Sequence, residues 1–215
     1  MMPTPWVSML QATVLLFGGL IPTAVSGADG DYETIVAQIR RGHPGIDYAQ
    51  LRIAFTETSK YDPYGRATER LSDAMLNAYS DGDCTQALAR SNEIFAMNFA
   101  DIESHVVAGL CHRKTGDAAR SEQEKSIVSG LLGSILGSGD GKTADTAYRV
   151  ISTDEEYKCL NALGLRVLGR GLVRQGKSAF DRFEVKAAGT AGPIVLYFNV
   201  DRPMGTLLKT AGQKR

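Results

Sequence analysis

The segment nearest to a recognisable chemistry is Gly137-Ser138-Gly139-Asp140-Gly141-Lys142-Thr143, because it ends in Gly-Lys-Thr. A phosphate-binding loop needs a glycine five residues before that final Gly-Lys, between a strand and a helix. Here Leu136 stands at that position, and the loop follows a helical stretch and precedes a strand-like one. Spacing and context both fail, so nucleotide chemistry is excluded. Ser138, Gly139, Asp140 and Gly141 remain as a loop of interest that can join two parts of a fold, with glycines free to take positive φ and Asp140 able to bond its own backbone. The histidines are His43, His105 and His112; the last two lie seven apart on one helix face, but no carboxylate or thiol stands at ligand spacing, so they read as packing residues and no metal is expected. No Gly-x-Ser-x-Gly elbow occurs, and Cys111 and His112 point to different helix faces. Glu155 and Glu156 are adjacent carboxylates, with Glu156 read as a helix cap. Arg166, Arg170 and Arg174 share strand parity with Leu168 and Leu172, a pattern of a solvated sheet face able to meet Arg182, Glu184 and Lys186 on a neighbour. If the chain were a small hydrolase, its site would gather His105, Asp140 and Tyr157 where helices meet sheet.

The elements that would position these residues fall into two halves. Tyr32, Ile35, Val36 and Ile39 form one face of a short helix ended by Gly42 and Pro44. Asp47 and Gln50 make a capping box for a second helix, with Leu51, Ala54 and Phe55 inward. Tyr61 to Gly65 is a turn, and Tyr48, Phe55, Tyr61 and Tyr64 supply aromatic packing. Gly82-Asp83 recurs as Gly116-Asp117, 34 residues on, which is the period of the tetratricopeptide unit. Four helices follow, near 67–80, 84–97, 102–114 and 117–136, with Ala87 and Gly109 as the small residues of close packing. Met75 and Ser121 depart from that repeat, and two units are too few to stand alone, so the pair must pack on the rest of the chain. Beyond Leu136 the order is β-α-β-β-β. Strands run at Ala147 to Ile151, Leu165 to Arg174, Ser178 to Val185 and Ile194 to Val200, and Thr153 and Glu156 cap the helix between the first two. The fold class is α+β: a helical, tetratricopeptide-like half, 29–136, packed on a small antiparallel sheet with one short helix, 137–203, and a tail at 204–215.

Charge distribution speaks to location. The chain has 24 Lys+Arg and 24 Asp+Glu, a balance that gives no drive toward nucleic acid or an anionic membrane. None of these residues precedes Asp29. Residues 1–28 read as a secretory signal peptide, with an apolar run from Ala12 to Ile21, then Pro22, then small residues that suit cleavage after Ser26 or Ala28. An exported, periplasmic or secreted protein without a stable membrane anchor is expected. Cys84, Cys111 and Cys159 make an odd count for an oxidising compartment, which suggests one bridge and one buried thiol. Counted from a turn at Phe99, Cys84 and Cys111 lie at nearly matching depth on antiparallel helices. They are the expected disulfide, with two unpaired thiols as the alternative.

Ser138-Gly139-Asp140-Gly141-Lys142-Thr143, Thr146 to Ile151, Glu156-Tyr157 and Tyr197-Phe198-Asn199-Val200 together resemble the bacterial family called domain of unknown function 4919, over about Asp47 to Val200. The resemblance implies an exported N-terminus, repeat-like helices, and a loop and closing strand belonging to one folded unit. It implies no activity, cofactor or catalytic residue. The expectation is therefore a non-enzymatic binding module that offers a helical groove to a protein or peptide, with a hydrolase or a purely structural envelope protein as the alternatives.

Overall fold

The computed structural model describes residues 27–189 and 192–205; most of the leader, 1–26, and most of the tail, 206–215, lie outside the described residues. Six helices come first: α1 (Ala28–Arg40), α2 (Tyr48–Thr56), α3 (Glu69–Ser80), α4 (Cys84–Met97), α5 (Ile102–Lys114) and α6 (Ala118–Leu136). Then follow β1 (Tyr148–Arg149), α7 (Thr153–Ala162), β2 (Leu165–Gln175), β3 (Ser178–Ala187) and β4 (Ile194–Asn199), with a last helical turn at 201–205. The α+β reading holds.

Local chemistry explains where the helices start. Asp47, Asp83, Asp101 and Asp117 each accept a hydrogen bond from the backbone N–H three residues on, satisfying a donor that has no partner within the helix. The 34-residue recurrence is one turn built twice. Gly82 and Gly116 take positive φ to stop a helix, and the aspartate that follows starts the next. The helices pair as α3 with α4 and α5 with α6, while α2 lies on α6 and α7 touches both α5 and α6. One large core runs through both halves, from Tyr32, Leu51 and Phe55 through Ile127 and Leu131 to Cys159, Phe183 and Phe198. A smaller cluster of Met75, Cys84, Ala87, Ile94, Val107 and Cys111 ties α3, α4 and α5 together.

The sheet order is β1-β4-β3-β2. β2, β3 and β4 pair antiparallel as expected, but β1 joins β4 in parallel, so the sheet is mixed. β1 is also shorter than the five residues expected. Its ladder ends because nearby side chains take the backbone groups: Arg52 Nη2 donates to the Arg149 carbonyl and the Ile151 N–H donates to Glu155. The helix cap is displaced by one residue too. Ser152 Oγ, not Thr153, accepts from the Glu155 N–H at 3.3 Å, which frees Glu156 to point inward.

Candidate functional site

The Ser-Gly-Asp-Gly loop folds back on the strand that follows it. The Asp140 and Gly141 N–H groups both donate to the Thr146 carbonyl, at 3.0 and 2.8 Å. Asp140 Oδ1 accepts from the Thr146 hydroxyl and from the Lys142 N–H, which hold its carboxyl below the usual range, the threonine contact first. Ser138 Oγ donates to the Ile135 carbonyl and accepts from the Arg149 N–H; the Tyr197 N–H donates to the Gly141 carbonyl. The loop therefore pins the end of α6 to β1 and β4. Gly139 is required by closeness, since a Cβ there would lie 2.2 Å from the Thr146 carbonyl oxygen. Gly139→Ala is accordingly expected to lower the melting temperature clearly, whereas Gly133→Ala, with nothing within 4 Å of its Cβ, leaves it unchanged or raises it. Thermal melts of the two variants side by side check this.

The acidic start of α7 holds the densest polar chemistry. Its three carboxylates go to different places. Asp154 lies 3.6 Å from Lys158, which also donates to Glu103 at 2.5 Å. Glu155 accepts two hydrogen bonds from Arg52, Nε to Oε1 and Nη2 to Oε2, each 2.7 Å, with both side chains about 5% exposed. Glu156 is fully buried beneath the sheet, and neither of its oxygens has a well-formed hydrogen bond. Its Oε2 lies 3.2 Å from Arg170 Nη2, which also donates to Asp181. Burial first, then the Asp181 charge opposite, push the Glu156 carboxyl up to about 9, so it is protonated at neutral pH. The arginine stripe lies on an exposed sheet face as read, with Arg166, Arg170 and Arg174 all exposed, but Arg170 also reaches over Tyr157 and Phe183 and serves the two carboxylates.

The three residues of the hydrolase alternative do not converge. His105 is buried in the first turn of α5, stacked on Phe95, with Nδ1 2.5 Å from Glu124 and Nε2 2.8 Å from the Phe99 carbonyl. Both ring nitrogens are occupied, one by a backbone oxygen, so the ring is a packing element as expected. Asp140 serves its own loop, and Tyr157 packs edge-on against Phe183. Among the described residues no group of three His, Cys, Asp or Glu is placed to hold a metal. Cys84, Cys111 and Cys159 are buried free thiols. Cys84 and Cys111 are nonetheless packed in one cluster; burial first, then Cys84, push the Cys111 thiol up to about 12.

Three hollows stand out among the described residues. A cleft of about 290 Å³ lies where α3, α5 and α7 begin, beside the 60–69 loop. Its acids are largely committed: Asp62 accepts from the Tyr64 and Ala67 N–H groups, Asp101 caps α5, Glu103 holds Lys158 and Glu155 holds Arg52. A larger groove of about 560 Å³ is walled by α4, α5, α6 and the end of α1, and the core residues Phe95, Phe99, Ala108 and Ile127 lie buried behind it. A further hollow of about 230 Å³ shares Arg40, Phe95, Ala96 and Phe99 with it and runs on toward Tyr32 and Val36. The two form one trough along α4. Tyr32, Val36, Phe99 and His112, which line it, stand out in the sequence only as packing or turn residues.

The architecture defines an α+β domain in which paired helices and a mixed sheet share one core, joined by the Ser-Gly-Asp-Gly loop. The family model for Domain of unknown function (DUF4919) matches residues 45–209, and the chain belongs to that family. No curated protein and no solved structure matches it.

Proposed function

We propose that the protein is an exported, non-enzymatic binding module that holds a protein or peptide segment in the trough along α4. The carrying observation is the trough itself: a hollow of about 560 Å³ between paired helices, rimmed by the polar side chains of Arg40, Asn92, His112, Arg120 and Gln123. Recognition sites are commonly clefts of this size, with polar groups that fix orientation. Both of the paired-helix units contribute walls, which is how tetratricopeptide-like helices offer a concave surface. Asn92 is exposed on the rim, so Asn92→Trp fills the trough without touching the core. An affinity pull-down from the host envelope, run in parallel with wild type and Asn92→Trp, is expected to retain a partner only on the wild type. The same proteins on both would sink the reading.

Export rests on the charge-free residues before Asp29 and the small residues around Ser26 and Ala28. In an oxidising compartment Cys84 and Cys111 become a disulfide by exchange with a disulfide donor, each thiol giving up its proton as the donor is reduced. Thiol titration of the denatured protein purified from the envelope is then expected to find one free cysteine. Three would refute the bridge, and a mass spectrum retaining Met1 would refute export.

A further inference from the structure

The trough has a charge as well as a shape. Arg40 stands at its middle, where its two hollows meet, with its guanidinium 5.2 Å above the Phe99 ring and no ion pair among the described residues. Arg120 stands at the far end with its side chain 69% exposed, held only by an exposed contact of 3.4 Å to Asp117. His112 and the amides of Asn92 and Gln123 complete the rim. The acids lining the trough are already matched. Glu124 is bound to His105 at 2.5 Å, and Glu33 to Lys60 at 3.2 Å. The lining thus carries three cations, Arg40, Lys60 and Arg120, against two carboxylates, Glu33 and Glu124, and Arg40 is the cation without an ion pair among the described residues.

We infer that the trough selects an acidic peptide segment, whose carboxylates meet Arg40 and Arg120. This rests on the binding-module reading and adds the partner's chemistry to it. Planar guanidinium groups accept carboxylates in bidentate fashion, and Arg40 is held over an aromatic face that fixes its plane. The trough is open and elongated, running from Tyr32 and Lys60 past Arg40 to His112 and Arg120, so an extended chain fits it better than a compact solute.

The test is fluorescence anisotropy on the purified mature protein with three labelled peptides of equal length. One alternates Leu or Phe with Glu, one replaces each Glu with Gln, and one replaces each Glu with Lys. The acidic peptide is expected to bind at least about tenfold more tightly than the other two, with affinity falling as salt rises. Arg40→Gln with Arg120→Gln is expected to abolish that preference. Arg41→Gln removes the same charge from the neighbouring position, which does not line the trough, and keeps it. Circular dichroism establishes that each variant is folded. Equal binding of the acidic and Gln peptides overturns the charge assignment but leaves the groove reading standing. So does binding of none of them while Asn92→Trp still blocks partner capture. If no peptide binds and Asn92→Trp captures the same proteins as wild type, both readings fall. Binding to an anionic fatty acid but to no peptide would replace the peptide with an amphiphile and overturn the inference.

Discussion

Arg52→Met is expected to lower the free energy of unfolding by about 3–5 kcal/mol, measured by chemical denaturation near neutral pH. Arg52 is a buried hub between α2, α6, β1 and α7. Two of its nitrogens hold Glu155, Nη2 also donates to the Arg149 carbonyl at 2.8 Å, and Nη1 donates to Ser134 Oγ at 3.2 Å. Removing it strands a carboxylate that is 4% exposed and frees a backbone carbonyl, and an uncompensated buried charge is far costlier than the net worth of the pair. That asymmetry makes a second measurement decisive. Glu155→Leu added to Arg52→Met removes the stranded charge and is expected to recover part of the loss, although the Ile151 N–H still loses its acceptor. A loss below about 1 kcal/mol for the single variant would show that the pair does not organise this junction.

The second large effect is a pH dependence. Glu156 ionises near 4.5 when unfolded and only near 9 when folded, because burial and Asp181 disfavour its charge. Its contribution to stability is therefore complete below about 4.5 and drains away as pH rises, until the folded form ionises as well. Between those values the slope approaches about 1.4 kcal/mol per pH unit for one proton. Asp181, Arg170, Glu155 and Tyr64 all act within this cluster and shape the curve. Glu156→Gln keeps the volume and removes the titration, so urea melts across this range are expected to show a much flatter profile and a variant more stable than wild type at the alkaline end. Parallel profiles for the two proteins would refute the assignment of this proton to Glu156.

Much of the fold was legible because its signals are local. Asp47 with Gln50, and Gly-Asp at 82–83 and 116–117, announce helix starts by chemistry confined to a few residues. Counting from Phe99 also placed Cys84 beside Cys111 correctly, because rise along a helix is regular. The buried polar cluster was missed for a different reason. Glu156 was assigned to a cap that Ser152 occupies, and Arg52 was passed over between Leu51 and Phe55. A usable signal existed: Glu155 and Glu156 stand four residues before Cys159 and Leu160, which puts both carboxylates on the buried face of α7. Their partners come from α2, β2 and β3, over a hundred residues away in the case of Arg52, and no local pattern names them. The parallel β1–β4 pairing was hidden likewise, since a two-residue strand carries almost no pattern of its own.

The Ser-Gly-Asp-Gly loop is a fastener, and that limits what its presence in a sequence can report. Ser138, Gly139, Asp140, Gly141 and Thr146 direct their hydrogen bonds and closest contacts to one another, to the end of α6 and to the adjoining strands. Arg40, Asn92, His112 and Arg120, which face the trough, belong to other elements and form no part of that fastening. Two chains that share the loop would thus inherit a scaffold from it, while their choice of partner would be written elsewhere. Sorting such proteins by what they bind calls for comparing the rim of the trough rather than the motif by which they are recognised.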